Sequence, residues 1–315
     1  MAKTIEQRGQ LIVGHAGLGV HGDGIGSVRQ EVHDGDTLNV RALGNFGVRF
    51  LGVDAPEISF TLPGGAPNRF VGLADPRWDA ALQDSLSGAF GQSLDPTLRT
   101  HLQGAVGAGV AINHHQHAAA AEDGLEELVR EDITALGQTE ESFQFFLVFA
   151  HEIMDRYGRM LCFINRDQPQ ASAALPRPRS YNERLLERGL VSPYLIWPNI
   201  NPFRRKPSLR AAVPAPGTAS QLATQDSALR DARQWVAAAR ANGDGIFAAA
   251  NPLRLQSSEL RFLARQQPPD RWVIDLGRDD TRLIPPQQYC TVANIEDRLY
   301  IPDEYVPLFR EAGWQ

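Results

Sequence analysis

The sequence predicts an α+β fold with a mainly β core, and four stretches carry that prediction. Residues 37–43 and 47–53 are short runs in which apolar and polar side chains alternate, as they do in half-buried strands. Residues 143–150, FQFFLVFA, have the composition of a buried strand. Residues 124–137, GLEELVREDITALG, place their apolar side chains on one helical face. Short strands joined by glycine-rich turns indicate a barrel or a meander.

The composition is that of an ordinary globular protein. The 315 residues carry a formal net charge of −6, which argues against wrapping of nucleic acid through bulk charge but allows a local basic site. The amino terminus has no basic segment followed by a long apolar run, and no apolar stretch approaches the length of a membrane span. We therefore expect a cytoplasmic protein that does not enter a membrane. Cys162 and Cys290 are expected to be buried, reduced thiols.

Composition divides the chain into two predicted parts. Residues 1–247 are expected to form one domain, with a helical insertion at about 60–120 and a Pro-rich loop at about 201–226. Residues 248–315 are expected to form a C-terminal extension or a small subdomain, in which QYCTV, residues 288–292, is interpreted as a strand.

Helix signals punctuate the rest of the chain. Asp95-Pro96 places an N-cap residue before a proline at the first helical position, and Ser180 with Glu183 forms a capping box. The insertion is expected to end in a loop or frayed helix around residues 113–124. That segment carries three histidines without spaced carboxylates, which we interpret as polar surface rather than as a metal site; they are His114, His115 and His117.

Three charged stretches follow one another along the chain: DGDT at 34–37, VRFLGVDAPE at 48–57 and DRYGR at 155–159. If the strands on either side of Gly44-Asn45 pair, Asp36 and Asp54 converge. Two carboxylates at one point form a hard, oxygen-lined site suited to Ca²⁺ or Mg²⁺.

The neighbouring charges extend this site. Glu57 lies three residues beyond Asp54, placed to bind or activate a water molecule. Arg49 and Arg159 carry the planar guanidinium forks best suited to phosphate oxygens. Taken alone, each stretch is more often a hairpin turn or a solvated strand arginine. Their joint occurrence in this order favours phosphodiester hydrolysis.

These three stretches together resemble the staphylococcal-nuclease-like, or thermonuclease, family, whose pattern is DGDT, then R-L-x-G-(I/V)-D-(A/T)-P-E, then D-(K/R)-Y-G-R. The resemblance covers about residues 30–60, 122–200 and 226–247. It implies a five-stranded OB-type barrel with packed helices. The implied activity is calcium-dependent, with low sequence specificity, on phosphodiester bonds of DNA, RNA or both, leaving 3′-phosphates.

The resemblance also implies a role for each matching residue. Asp36 and Asp54 look like Ca²⁺ ligands together with the main-chain carbonyl of Ala55, and Asp34 looks like a supporting acid. Arg49, Glu57 and Arg159 look like the catalytic set. Four further residues look like substrate contacts, with the aromatic ones available to stack on single-stranded bases: Arg156, Tyr157, Tyr194 and Trp197.

Two departures from compact members of the family leave an alternative open. The stretch between Glu57 and Arg159 is much longer because of the insertion, and residues 248–315 have no counterpart that we recognise. The alternative is a module of the same fold with weak or no catalysis that binds nucleic acid or another protein.

Overall fold

The structure of the chain is a computed structural model. It describes residues 5–8, 11–20, 27, 32–41, 45–66, 69–155, 159–168 and 177–315. Residues 5–8, 11–15, 32–34 and 45–46 are described by their backbone alone.

The strands are short and most of them precede residue 170. They are β1 (Ile5–Arg8), β2 (Leu11–Leu18), β3 (Val32–Asp34), β4 (Thr37–Arg41), β5 (Asn45–Phe50), β6 (Gly52–Asp54), β7 (Ser59–Thr61), β8 (Phe70–Gly72), β9 (Gln144–Phe149), β10 (Met160–Arg166), β11 (Ser192–Ile196), β12 (Arg271–Asp275) and β13 (Arg298–Pro302).

The helices lie in the insertion and in the second half of the chain. They are α1 (Arg77–Ser87), α2 (Ala89–Ser93), α3 (Pro96–Ala105), α4 (Val110–Ala135), α5 (Tyr181–Glu187), α6 (Leu209–Ala212), α7 (Ala219–Gln225), α8 (Ser227–Asn242), α9 (Ser257–Arg265) and α10 (Val306–Glu311). Single 3₁₀ turns occupy Pro202–Arg204, Gly245–Phe247, Pro286–Thr291, Ile295–Asp297 and Asp303–Tyr305.

Five strands close into a barrel, which confirms the predicted fold class and is compatible with an OB-type fold. The order β2-β9-β10-β5-β4 returns to β2 through the antiparallel pairing of β2 with β4. β10 runs parallel to β5, whereas the other barrel pairs are antiparallel, so the barrel is mixed. The predicted pairing of the strands around Gly44-Asn45 is confirmed, with Thr37 opposite Arg49.

A second sheet connects the barrel to the end of the chain. β6, which follows the barrel strand β5, pairs with β11, and the sheet continues through β13 to β12. Ser192 lies opposite Asp54 in this sheet, and β11 runs parallel to β13. Strands contributed by residues 271–302 therefore extend the sheet that begins next to Asp54.

Two hydrophobic clusters stabilise these elements. The larger one, called here the barrel core, includes Leu38, Val48 and Phe145 inside the barrel and the helices packed on it. The smaller one, called here the second core, has its buried members in residues 73–111 and 255–300. The helical insertion and the C-terminal residues thus bury their apolar side chains against each other.

The capping predictions are confirmed. Asp95 accepts a hydrogen bond from Thr97 N–H at the start of α3, and Ser180 and Glu183 form the capping box of α5. Glycine ends α8 at Gly243, where the backbone is left-handed.

Three predictions of local structure are wrong. Residues 113–124 belong to one continuous helix, α4, because that helix is buried along much of its length. The segment 201–226 holds α6 and α7, and the buried alanines of α7 explain why an Ala-rich stretch becomes helical. Residues 288–292 lie in or after a 3₁₀ turn rather than in a strand, because the turn begins at Pro286, which lacks the N–H donor that a strand needs.

Cys162 is buried and Cys290 half-buried, and both are free thiols. Among the helices that the structure describes, none combines the length and the apolar character needed to span a bilayer.

Candidate active site

Asp36 forms the floor of a charged cluster at one edge of the barrel. It lies in the tight turn between β3 and β4 and is only 1% exposed. Its Oδ2 accepts a hydrogen bond of 2.8 Å from the backbone N–H of Ala55, and its Oδ1 accepts one of 3.1 Å from the Thr37 hydroxyl. A buried carboxylate with this many donors is held in one orientation.

Arg49 joins this carboxylate to Asp54. The guanidinium extends from β5, and its Nη2 lies 2.6 Å from Asp54 Oδ1 and 3.1 Å from Asp36 Oδ2. Burial by itself lowers the pKa of Arg49, but the charges of Asp36 and Asp54 outweigh it and hold the pKa above its usual value. The two aspartates therefore converge as the strand pairing predicts, with a cation between them.

Arg159 lies beside the same floor, at the start of the strand β10. Its Nε donates to Asp155 Oδ2 over 2.8 Å, and its Nη1 donates to the Thr37 hydroxyl over 3.3 Å. Thr37 in turn donates to Asp36, so Arg159 is one hydrogen-bond step from the carboxylate cluster. Gly47 faces this side chain, and a Cβ there would lie 3.4 Å from the Cγ of Arg159.

The opposite side of the cluster is formed by a residue that sequence reasoning missed, Arg261 of α9. Its Nη2 lies 2.7 Å from Asp54 Oδ2, and its Nη1 lies 2.7 Å from Glu57 Oε1. Arg261 is 13% exposed in its side chain and Glu57 14%, so this is a largely buried double ion pair. Asp54 thus has one guanidinium on each carboxylate oxygen.

The backbone around Glu57 is fixed by two further residues that sequence reasoning did not place here. The N–H of Glu57 donates to His114 Nε2 over 2.8 Å, and the Nδ1 of His114 donates to the carbonyl of Leu255 over 3.0 Å. The Ser257 hydroxyl donates to the carbonyl of Ala55 over 2.6 Å. The insertion helix α4 and the C-terminal helix α9 therefore both contact the segment 55–57.

His114 is neutral in this position. The amide of Glu57 can only donate, so Nε2 must be the unprotonated nitrogen and Nδ1 carries the hydrogen. Complete burial lowers the pKa of the imidazole to about 4. The prediction that the three histidines form a polar surface is wrong, since His114 is 0% and His117 8% exposed.

Burial also raises the pKa of the Glu57 carboxyl. The nearby charge of Arg261 opposes this rise, while Asp36 and Asp54 add to it. Among the side chains that the structure describes, the cluster holds one more carboxylate than guanidinium groups, counting Asp36, Asp54 and Glu57 against Arg49 and Arg261. A carboxyl in such surroundings binds a proton more readily than one in water does.

Gly35 lets the insertion helix approach this cluster. A Cβ at Gly35 would lie 2.4 Å from the Cβ of Ala121 on α4 and 3.2 Å from the Cβ of Ala55. The glycine of the DGDT stretch is thus required by close packing against α4.

The described residues do not fit a divalent cation in this arrangement. Ca²⁺ takes six to eight oxygen ligands. The carboxylate oxygens of Asp36 and Asp54 already accept from Arg49, Arg261, Thr37 or a backbone amide. The carbonyl of Ala55, the third expected ligand, accepts from Ser257. Within the described part of the chain, no group of three or more His, Cys, Asp or Glu side chains is arranged to hold a metal ion.

The remaining predicted contact residues lie elsewhere. Trp197 is 1% exposed and packs edge-to-face on Tyr305 and Phe309, so its ring belongs to the barrel core. Tyr194 is half-buried, and its ring lies 4.6 Å from that of Tyr300 and accepts a cation–π contact from Arg271. Arg156, Tyr157 and the side chain of Asp34 fall outside the described residues.

Local sequence carries no signal for the missed residues. Arg261 lies between Leu260 and Phe262 in a short amphipathic helix, where an arginine commonly reaches solvent. His114 lies in an alanine- and histidine-rich stretch. Both become site residues only through the packing of the insertion against the C-terminal residues.

Compared with protein-family models and with curated proteins, the chain matches none of them. The fold and the cluster therefore define the protein as a closed five-stranded β-barrel, compatible with an OB-type fold, that carries a buried arginine–carboxylate site.

Proposed function

We propose that the chain is a nuclease of the staphylococcal-nuclease-like family that hydrolyses phosphodiester bonds of DNA, RNA or both. The observation that carries this proposal is the contact network at the barrel edge. Asp36, Arg49, Asp54 and Glu57 share one cluster, and Arg159 reaches it through Thr37. The residues quoted from three separate stretches of sequence are thus neighbours in space.

Each group has a task that its chemistry suits. Arg49 and Arg159 would donate to the non-bridging oxygens of a phosphodiester and offset the charge that grows there during attack. Glu57 would accept a proton from the attacking water, and burial, which raises the pKa of this carboxyl, makes it a stronger base than a carboxylate in water. The water oxygen forms a bond to phosphorus while the bond to the 5′ oxygen breaks, and solvent protonates that leaving oxygen. The products are a 3′-phosphate and a 5′-hydroxyl.

Contacts of this kind go to phosphate and sugar, so we expect little sequence specificity. The calcium dependence implied by the family resemblance is what the comparison of Ca²⁺ with chelator in the cleavage assay tests. No step of the scheme above is routed through a metal ion, because the expected ligands are engaged by arginine, serine and amide donors.

A second candidate function is a nucleic-acid-binding or protein-interaction module with weak or no catalysis. The observation that favours it is that Arg49 and Arg261 are both paired with carboxylates in the cluster. A guanidinium whose charge is already neutralised attracts phosphate less strongly. Binding without cleavage would then depend on charges outside the cluster.

The test is a cleavage assay on full-length protein with labelled single-stranded DNA, duplex DNA and RNA, in Ca²⁺ and in chelator. We expect cleavage by the wild type and a loss of about 100-fold or more in Glu57→Gln and Arg159→Ala. Glu127→Gln and Arg210→Ala remove exposed members of ion pairs and serve as matched controls. Urea unfolding of each variant separates loss of activity from loss of fold.

Two results would decide against hydrolysis. Full activity in a well-folded Arg159→Ala protein would assign any cleavage to another site. No cleavage in either buffer, with retained binding in fluorescence anisotropy, would favour the binding module.

A further inference from the structure

We propose that Arg261 is the resident cation of the carboxylate cluster, so that its guanidinium takes the place of the expected divalent ion and the folded protein does not bind Ca²⁺ there. This inference concerns which cation the site holds, and it stands whether or not the site hydrolyses nucleic acid.

The contacts of Arg261 are those of a bridging cation. Its two terminal nitrogens each lie 2.7 Å from a carboxylate oxygen, one on Asp54 and one on Glu57. Arg49 occupies the other oxygen of Asp54. A divalent ion at Asp54 would have to displace at least one guanidinium from a charge-assisted hydrogen bond.

Charge balance makes the two cations alternatives rather than partners. Asp36, Asp54 and Glu57 repel one another when they are ionised, and some cation must offset that repulsion. With Arg49 and Arg261 present, one negative charge remains in excess. Adding a doubly charged ion beside both guanidinium groups would reverse the sign of the net charge on these described side chains, so the buried cluster would come no closer to neutrality.

The position of Arg261 is fixed by α9 on both sides. Leu260 and Leu263 are 0% exposed in the second core. Glu259, in the same turn, accepts hydrogen bonds of 2.7 Å from Tyr289 and from the His101 ring. Ser257 is bound to the carbonyl of Ala55 at the start of the helix. The guanidinium therefore cannot leave the cluster by a movement of the backbone without breaking these contacts.

The same helix removes a third metal ligand. The carbonyl of Ala55 is an expected Ca²⁺ ligand, and it accepts from Ser257, four residues before Arg261 on α9. The helix α9 thus supplies the cation, Arg261, and binds the carbonyl of Ala55 through Ser257. Both contacts support the inference that α9 takes the place of a metal ion.

Isothermal titration of Ca²⁺ into full-length protein tests this, with no nucleic acid present. We expect no Ca²⁺ binding to the wild type in the millimolar range. Arg261→Met should show one site, with a dissociation constant about 10-fold or more below the weakest that the titration detects. Methionine retains the apolar stem of arginine without its charge. Adding Asp54→Asn to Arg261→Met should abolish the gained site, and Arg261→Lys, which keeps a charge, should not gain it.

Arg130→Met is the matched control. It removes a partly exposed arginine on α4 that pairs, outside the cluster, with the carboxylate of the buried Glu126. It should bind no more Ca²⁺ than the wild type does, which would tie the gained site to the cluster.

Two outcomes overturn the inference. One is a wild-type Ca²⁺ site that Asp54→Asn abolishes, because the guanidinium would then yield to the metal. The other is a folded Arg261→Met protein that gains no site. If that variant does not fold, urea unfolding of the wild type decides: equal midpoints in millimolar Ca²⁺ and in chelator support the inference, and a higher midpoint in Ca²⁺ refutes it.

Discussion

The charged cluster has two walls of different origin. The barrel wall consists of Asp36, Arg49 and Asp54, and its ion pairs join residues 5 and 13 positions apart in the chain. The added wall consists of His114, Ser257 and Arg261, and the contacts of Arg261 join residues 204 and 207 positions apart. The barrel wall is encoded within one short stretch of sequence, residues 36–54, whereas the added wall depends on how the insertion and the C-terminal residues pack.

This difference has a functional consequence. The barrel wall alone presents the carboxylates that the family resemblance associates with a metal ion. The added wall places a guanidinium on Asp54, and it places a hydroxyl and a neutral imidazole on the backbone of Ala55 and Glu57. A site can therefore retain every charged residue of a familiar sequence pattern and still have its chemistry changed by segments outside that pattern.

The largest difference in stability between the two walls should appear when the second core is disrupted, because the added wall packs on that core. Trp78 is 0% exposed in this core, and its Nε1 donates to the carbonyl of Val71. We expect Trp78→Ala to lower the free energy of unfolding by about 3–5 kcal/mol. Hydrogen exchange should rise in α9 and in the first turns of α4 more than in β4 and β5.

The control for this variant is Trp235→Ala, which truncates a half-buried tryptophan on α8. Trp235→Ala should lower the free energy of unfolding less than Trp78→Ala does, because part of the Trp235 ring already contacts water. Equal exchange in α9 and in the barrel strands of Trp78→Ala would show that the two walls unfold as one unit and would remove the distinction between them.

The same contrast explains how much the sequence predicts. The closed barrel is what the family resemblance implies, because β9 and β10 pair with strands that lie far away in the chain. The pairing of β4 with β5 and the meeting of Asp36 with Asp54 follow from alternation, turn residues and short spacing. These are local signals, and local signals specify local structure.

The failures share one cause, which is burial by a distant segment. The sequence around His114 has the composition of a surface stretch. His114 is nevertheless buried, because Leu255 and the second core lie against α4. Trp197 has the exposure expected of a core residue because Tyr305 and Phe309 pack on it. Arg261 has one acidic neighbour in its helix turn, Glu259, but that carboxylate binds His101 and Tyr289 and gives no indication of Asp54 or Glu57 as partners. No window of sequence contains both members of such contacts.

The stability of the added wall should depend on pH, because this wall contains a buried neutral histidine. The pKa of His114 is about 4 in the folded protein, below the usual 6.5. Between these values the unfolded chain binds a proton that the folded chain does not. Stability should therefore fall as the pH drops from about 6.5 to about 4, by about 3 kcal/mol in all from this residue.

Other groups titrate in the same range, so the test is a difference between proteins. Hydrogen bonding to Glu259 raises the pKa of His101, and burial raises that of Glu57; both favour the folded state at low pH. Urea unfolding at several pH values should give a steeper loss for the wild type than for His114→Gln. His115→Gln, at the next position on α4, should retain the wild-type slope. Parallel curves for the wild type and His114→Gln would contradict the neutral, buried state of this imidazole.

The smallest effect should come from one hydroxyl of the added wall. Ser257 and Ser93 make the same kind of hydrogen bond, from a hydroxyl to a backbone carbonyl, over 2.6 and 2.7 Å. The bond from Ser257 reaches Ala55 across 202 positions and is buried, whereas that from Ser93 reaches Phe90 across 3 positions and is exposed. Ser257→Ala leaves a buried carbonyl unsatisfied and should cost roughly 1–3 kcal/mol, while Ser93→Ala lets water replace the hydroxyl and should cost almost nothing. Urea unfolding of both variants measures the difference directly. If the two substitutions lower the free energy of unfolding equally, the contact of α9 with the segment 55–57 adds no stability. The added wall would then lie on the barrel without stabilising it.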